Sequence, residues 1–288
     1  MSNKKNILVT GANGQLGMEF RSLSNNYPGY DFLFASKDEL SITDLASVEK
    51  FFSQNKIDHC FNCAAYTAVD KAETEREIAF ESNGTAVGNL ASVCKKYGTL
   101  LIHISTDYVF NGEATEPYKE TNETDPVNAY GASKLLGEIE ALKNNTGSII
   151  IRTSWVYSSF GKNFVKTMLR LMNEKETISV VNDQLGCPTY ANDLAVAMLK
   201  IVTTNKNPNP GIYNYSNKGV ISWYEFALAI KEISGSNCIV NPVDSTQYPT
   251  PAKRPKYSVM DTAKIQQLFN IEIPYWKDSL EKCIALLK

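Results

Sequence analysis

The sequence predicts an α/β protein, a doubly wound parallel sheet followed by a smaller C-terminal α/β lobe. Three observations carry this. Short apolar runs alternate four times with stretches of helical periodicity before residue 110, three glycines spaced by three follow the first run, and the alternation loosens beyond Trp155. A chain of 288 residues can hold one large domain or two unequal ones and can bury a full core without metals or disulfides.

Ile7, Leu8 and Val9 form the apolar run expected of a central parallel strand. Gly11, Gly14 and Gly17 follow, ahead of the amphipathic series Leu16, Phe20 and Leu23. Gly11 lets the chain turn, Gly14 lets backbone N–H groups approach a pyrophosphate, and Gly17 lets the new helix pack on the strand. The positive end of that helix then faces the phosphates. The stretch therefore reads as a Rossmann-like dinucleotide cradle, with Asn13, Gln15 and Leu16 in its turn. A bare glycine turn is the plain alternative, and the strand-to-helix context speaks against it.

Asp31 to Ala35 reads as the second strand. Its end carries Ser36 and Lys37, with Asp38 beyond, where a fold selecting NAD usually places an acid on the ribose 2′-hydroxyl. A hydroxyl and an ammonium suit a 2′-phosphate better, which favours NADPH and leaves NADH open. Leu45 to Asn55 is helical, and Ile57 to Cys63 is a third strand closed by the small residues Cys63, Ala64 and Ala65 before Tyr66. A single long helix is expected from Glu75 to Tyr97, then a fourth strand from Leu100 to Ser105. That strand ends in Ser105-Thr106-Asp107-Tyr108, a polar cluster at the carboxyl end, where such sheets bind ligands.

A polar loop from Asn111 to Asn128 leads into a helix carrying Tyr130 and Lys134, and Ser148 to Arg152 is the fifth strand. Residues four apart share one helical face, so the phenol and the ammonium reach one cavity. The expectation is that the Lys134 charge lowers the Tyr130 pKa and makes the phenol a general acid, with Thr106 steering a carbonyl oxygen towards it. Such a pair is common on surface helices, and only its context lifts it above that reading.

Beyond Trp155 come a helix from Asn163 to Met172, a strand from Ile178 to Val181 and an ordered loop from Asp183 to Thr189. Asn192 or Asp193 is expected to cap a helix through Val202, followed by an exposed turn at 205–210. Ser222 and Glu225 form a capping box opening a helix to Ser234. Tyr248 to Pro255 is a rigid basic loop, and helices after Asp261 and from Tyr275 complete the lobe.

The balance of 29 basic and 31 acidic residues, net −2, shows no bulk commitment to nucleic acid or to an anionic membrane. The polar start from Met1 to Lys5 fits no signal peptide, no apolar run approaches a bilayer span, and six scattered cysteines suit a reducing, cytoplasmic setting. Cys60 and Cys63 have C-x-x-C spacing but no second pair, so they read as small buried residues and no metal site is expected.

The glycine pattern, Ser105 to Phe110 and Tyr130-x-x-x-Lys134 together resemble the extended short-chain dehydrogenase/reductases. Four longer stretches, Ala64 to Glu73, Arg152 to Tyr157, Asn182 to Thr189 and Tyr248 to Pro255, resemble within them the dTDP-4-dehydrorhamnose reductase family. The resemblance covers nearly the whole chain. It implies an oxidoreductase that reduces the 4-keto group of a dTDP-sugar with NADPH or NADH, the last step of dTDP-L-rhamnose formation. It implies Thr106, Tyr130 and Lys134 as the catalytic set, with Lys134 also bonding the nicotinamide ribose. Asp44, Leu45, Ala64, Ala65 and Tyr66 fall where the family contacts the rest of the cofactor. Thr106, Asp107, Trp155 and Gln184 fall on the substrate side, and Arg254 at a position suited to the nucleotide diphosphate. Core packing is the plain alternative for Trp155, and a solvated loop charge for Arg254.

Residues 1–155, joined by part of 183–215, are then the NAD(P)-binding domain, and 156–288 mainly the sugar-nucleotide lobe. Some members use Mg2+ at a homodimer contact, yet no carboxylate cluster in this sequence independently calls for either. Asp107 is followed by Tyr108 where sugar-nucleotide 4,6-dehydratases carry Asp-Glu, which disfavours dehydration. Another 4-reductase, a 4-epimerase, and a non-catalytic NADP-binding subunit like the beta subunit of methionine adenosyltransferase remain the competing readings.

Overall fold

The computed structural model describes residues 4–204 and 208–287. Its core alternates strand and helix: β1 (Lys5–Thr10), α1 (Gln15–Leu23), β2 (Tyr30–Ala35), α2 (Leu45–Gln54), β3 (His59–Asn62), α3 (Arg76–Phe80), α4 (Ala86–Tyr97), β4 (Leu100–Thr106), α5 (Ala129–Asn144) and β5 (Ile149–Thr153). The order in space is β10-β5-β4-β3-β1-β2, where β10 is Gly211–Asn214, and every neighbouring pair is parallel. The order reverses beside β1, which puts a crevice at the carboxyl ends of β1, β3 and β4.

The middle residues of the strands are apolar towards both sides because both faces of the sheet are covered. Ile7, Val9, Phe61, Ile102 and Ile151 point into one core, shared with Phe20 of α1. Leu8, Cys60, Leu101 and Ile150 alternate onto the opposite face, against Val48 and Phe52 of α2 and Leu90 of α4.

After β5 the chain leaves this sheet for β6 (Val156–Tyr157), α6 (Phe164–Glu174), β7 (Thr177–Val181), β8 (Leu185–Gly186) and β9 (Thr189–Tyr190), so the expected loop at 183–189 contains two short strands. It returns through α7 (Ala191–Thr204), whose Leu194 and Met198 lie in the first core, and through β10. It leaves again for β11 (Ile221–Ser222), α8 (Trp223–Ser234) and β12 (Ile239–Val243). α9 (Ala263–Phe269) joins the first core through Ile265 and Phe269, whereas α10 (Trp276–Ala285) places Leu280 in a second core with Met168, Phe226 and Val240. The capping box of Ser222 and Glu225 is present at α8.

Two local expectations change, and a third lies partly outside the described residues. The helix read from Glu75 to Tyr97 is interrupted by a π-turn over Glu81–Thr85. Its Asn83 is fully buried and binds the backbone of Tyr66 from both sides, accepting from N at 2.8 Å and donating to O at 2.9 Å. A wider turn there aims the amide at its partner, a use to which π-bulges are often put. At α7 neither Asn192 nor Asp193 is a cap, because the helix starts at Ala191. Asn192 instead donates to Glu19 Oε2 at 2.9 Å, and Asp193 accepts from Asn217 at 2.7 Å and from Ser279. The turn read at 205–210 lies partly outside the described residues, at 205–207.

Candidate active site

The glycine turn is set by close approach. Gly11 has φ +63°, and a Cβ there would lie 2.7 Å from Ala64 N; one on Gly17 would lie 2.6 Å from Ala12 Cα. Gly14 caps α1 with no side-chain bond, so the first backbone N–H groups of the helix open onto a cleft of about 550 Å3 beside Gly14, Gln15 and Leu16. A helix N-terminus bounded by glycines suits a diphosphate.

A second cavity of about 320 Å3 continues from the turn past Asn13, Lys37, Ala64, Ala65 and Tyr66. Ser36 is not among its lining residues; the chain folds back there, and Ser36 N donates to Glu39 Oε2 at 2.8 Å. Asp44 and Leu45 also lie off the lining, because Asp44 is the cap of α2, accepting from Ser47 N at 3.1 Å. Leu40, Ser41, Ile42 and Thr43 line it instead. Nothing in their residue types marks them; only the path of the chain after β2 brings them there.

In the larger cleft Thr106, Asp107, Tyr130, Lys134 and Trp155 come together with the glycine turn. α5 presents two of these side chains because Asn128 caps it, accepting from Gly131 N at 2.8 Å. A Cβ on Gly131 would lie 2.1 Å from Tyr108 O, so the helix packs tightly on the turn after β4. Tyr108 and Tyr130 meet edge to face at 5.8 Å.

The expected lowering of the Tyr130 phenol does not occur. Burial, seconded by the Asp107 carboxylate, pushes it up to about 12, and the Thr106 hydroxyl only partly offsets this. Lys134 is turned to the wall: Nζ donates to Ile104 O at 2.6 Å and lies 3.3 Å from His103 Nε2. Burial lowers its pKa to about 8. Asp107 is pushed up to about 7 by burial; its Oδ1 accepts from Thr106 Oγ1 at 2.9 Å, while Oδ2 is buried without a partner.

Trp155 holds a left-handed backbone, φ +48°, and stacks on Trp223 at 3.6 Å with planes 9° apart. A Cβ on Gly186 would strike its ring at 2.6 Å, so a side chain at 186 is incompatible with this pose. The structure does not bring Gln184 or Arg254 to the cleft lining. The Arg254 guanidinium grips Asp70 with both arms, Nη1 to Oδ1 at 2.9 Å and Nη2 to Oδ2 at 2.8 Å.

Sequence reasoning missed Trp223 at the start of α8, Gly161 and Lys162 between β6 and α6, which line the cleft, and His103 behind Lys134. His103 carried a signal, a titratable residue inside the apolar run Leu100 to Ile104. The others carried none, since they reach the cleft from segments distant in sequence from the glycine turn. Among the described residues no cluster of His, Cys, Asp or Glu could hold a metal ion, and no helix is long and apolar enough to cross a membrane.

The family described as the RmlD substrate binding domain matches residues 5–288. The spore coat polysaccharide biosynthesis protein SpsK of Bacillus subtilis is 43% identical over 277 residues, covering 96% of this chain and 95% of its own. The dTDP-4-dehydrorhamnose reductase of Burkholderia thailandensis is 40% identical over 293 residues, 96% of this chain and 97% of its own. A solved structure of the Bacillus anthracis dTDP-4-dehydrorhamnose reductase in complex with NADP superposes with a TM-score of 0.94 at 39% identity, covering 98% of this chain and 99% of the other.

Proposed function

The chain belongs to the RmlD substrate binding domain family, and from that membership we propose that it reduces the 4-keto group of dTDP-4-dehydro-L-rhamnose with NADPH, giving dTDP-L-rhamnose in the last step of that pathway. The observation that carries the reading is the meeting of Thr106, Tyr130 and Lys134 with the glycine turn and Trp155 in one cleft. The cradle of Gly11, Gly14 and Gly17, which a Cβ would fill, fits the coenzyme pyrophosphate. Lys37 in the second cavity supplies a cation for a 2′-phosphate. Residues 1–155 with part of 183–215 serve the coenzyme, and 156–288 mainly the sugar nucleotide.

A reduced nicotinamide bound there supplies hydride to the carbonyl carbon. Thr106 holds the carbonyl oxygen by turning its hydroxyl proton from Asp107 Oδ1 to that oxygen, and Tyr130, protonated across the working range because its phenol is pushed up to about 12, donates the proton to the same oxygen as charge develops. Lys134 offers its cavity-facing N–H to the coenzyme ribose. The Trp155 ring, held by Trp223, forms a flat apolar wall for the sugar.

The test is loss of reduced-nicotinamide absorbance when the protein meets dTDP-4-dehydrorhamnose, with NADPH and NADH in parallel and product identified by chromatography. Turnover to dTDP-L-rhamnose is expected. Coenzyme binding without turnover would move the reading to a regulatory subunit.

A further inference from the structure

Behind the cleft a chain of buried polar groups runs from β1 to α5. Thr10 Oγ1 donates to Asn62 Oδ1 at 2.7 Å, Asn62 Nδ2 lies 3.0 Å from His103 Nδ1, His103 Nε2 lies 3.3 Å from Lys134 Nζ, and Nζ donates to Ile104 O at 2.6 Å. Thr10, Asn62 and His103 are fully buried and Lys134 is 2% exposed.

Donor and acceptor accounting makes this chain two-valued. An ammonium only donates, so a charged Lys134 requires a lone pair on Nε2. A neutral imidazole then carries its proton on Nδ1, and Asn62 must turn its oxygen towards the ring and its NH2 towards Thr10. With the amide nitrogen towards Nδ1 instead, the ring proton sits on Nε2 and donates to Nζ, which must then be a neutral amine. Each pattern leaves every group of the chain from Asn62 to Ile104 satisfied, and a mixture leaves two donors or two lone pairs facing each other, which is costly in a buried site.

We propose that Asn62 and His103 form a two-state hydrogen-bond register that follows the charge of Lys134, making His103 a positioning residue for that amine. The ring itself stays uncharged in both states, because burial and the neighbouring Lys134 hold its pKa well below the usual range. The groups facing the amine are Cys63 beyond β3, His103 on β4, and Glu138 on α5, whose charge is taken up by Arg152 of β5. The consequence is that Lys134 can change charge while keeping both wall partners, Ile104 O and Nε2. In the charged state one N–H is left over from these two partners, on a residue that lines the cleft.

The chain contains two histidines, His59 and His103, so 15N-histidine labelling gives a spectrum of two rings, assigned with His59→Gln. Titrated across the Lys134 pKa of about 8, His103 is expected to pass from the Nδ1–H to the Nε2–H tautomer without an imidazolium signal, and Lys134→Met is expected to abolish the change. A ring that keeps one tautomer throughout, or becomes cationic, overturns the proposal. This readout needs neither coenzyme nor substrate, so it stands apart from the functional reading.

A kinetic arm rests on that reading. Asn62→Asp fixes an acceptor against Nδ1–H and is expected to raise the alkaline pKa of kcat/KM. His103→Leu removes the acceptor from the ammonium and is expected to lower it, each by about one unit. His103→Gln, which can present either oxygen or NH2, is expected to restore it. Shifts of the same sign in Asn62→Asp and His103→Leu, with circular dichroism unchanged, would mean that packing alone is lost and would overturn the register.

Discussion

Arg152 grips the Glu138 carboxylate from two sides, Nη2 to Oε2 at 2.7 Å and Nε to Oε1 at 2.9 Å, with side chains only 2% and 1% exposed. Ser105 Oγ donates to the same Oε1 at 2.5 Å. One ion pair thus ties α5, four residues past Lys134, to β5 and to the end of β4 beside Thr106. Removing one partner of a buried pair leaves the other charge uncompensated, so Glu138→Ala is expected to lose about 3–5 kcal/mol in urea unfolding. A loss below about 1 kcal/mol would show that water reaches Arg152 in its place.

Tyr130→Phe keeps the ring against Tyr108 and removes the hydroxyl that carries the proton. We expect unchanged coenzyme affinity by fluorescence titration and kcat lowered roughly 10²–10⁴-fold. Full turnover in this variant would remove the phenol from the reaction.

The Arg254 pair with Asp70 joins the Pro-rich loop from Tyr248 to Pro255 to the segment after β3, and its side chains are 24% and 41% exposed. Solvent screens such a pair, so either deletion is expected to change stability by about 1 kcal/mol or less. The two variants separate the roles of Arg254. If the guanidinium also meets a diphosphate, Arg254→Ala raises KM for the sugar nucleotide and Asp70→Asn does not. Equal effects of the two would confine Arg254 to tying this loop to the segment after β3.

The sheet was legible because its strands are apolar on both faces and each glycine of the first turn has a steric reason, as Ala64 against Gly11 shows. Tyr130 and Lys134 were legible as a helical pair, but the pKa argument attached to them was not. Lowering the phenol needs the ammonium to face it, whereas Lys134 is turned to Ile104 O and His103. Arg254 was legible as a cation in a rigid loop, yet its partner Asp70 lies 184 residues away and spacing gives no hint of it. The break at Asn83 was hidden for the same reason, since Tyr66 and Ser133, which bind its amide, approach from other segments.

The loop from Ser158 to Asn163 is fastened to α1. Ser158 Oγ donates to Glu19 Oε1 at 2.6 Å, Asn163 Nδ2 donates to Gln15 Oε1 at 2.8 Å, and Gly161, φ +65°, packs on the Gln15 side chain. This holds Lys162 in the cleft lining together with Gly14 and Gln15. If this cation meets the phosphate held at the helix end, Lys162→Ala is expected to weaken NADPH and NADH alike, by roughly 3- to 10-fold in Kd for one screened charge. Weakening of NADPH alone would point to the 2′-phosphate, and unchanged affinity for both would leave Lys162 out of coenzyme binding.

Asp107 links the site to stability. Its carboxyl, 2% exposed with Oδ2 unpartnered, titrates at about 7 in the folded chain against an ordinary value of 3.8. Below the ordinary value both states hold the proton and nothing is lost. As pH rises towards 7 the unfolded chain releases it while the folded chain retains it, so stability falls, and the loss is complete once the folded carboxyl ionises. The shift of about three units corresponds to a loss on the order of 4 kcal/mol at most. Asp107→Asn keeps an oxygen for Thr106 and removes the titration. Urea midpoints for the two proteins should therefore diverge steadily between the two pKa values, the variant being the more stable, and run parallel above them. A difference independent of pH would mean that Asp107 is solvated in the folded state. Loss of turnover in the same variant would identify the buried carboxylate as strain kept for the substrate, a trade between stability and function, and full turnover would leave Asp107 outside the reaction.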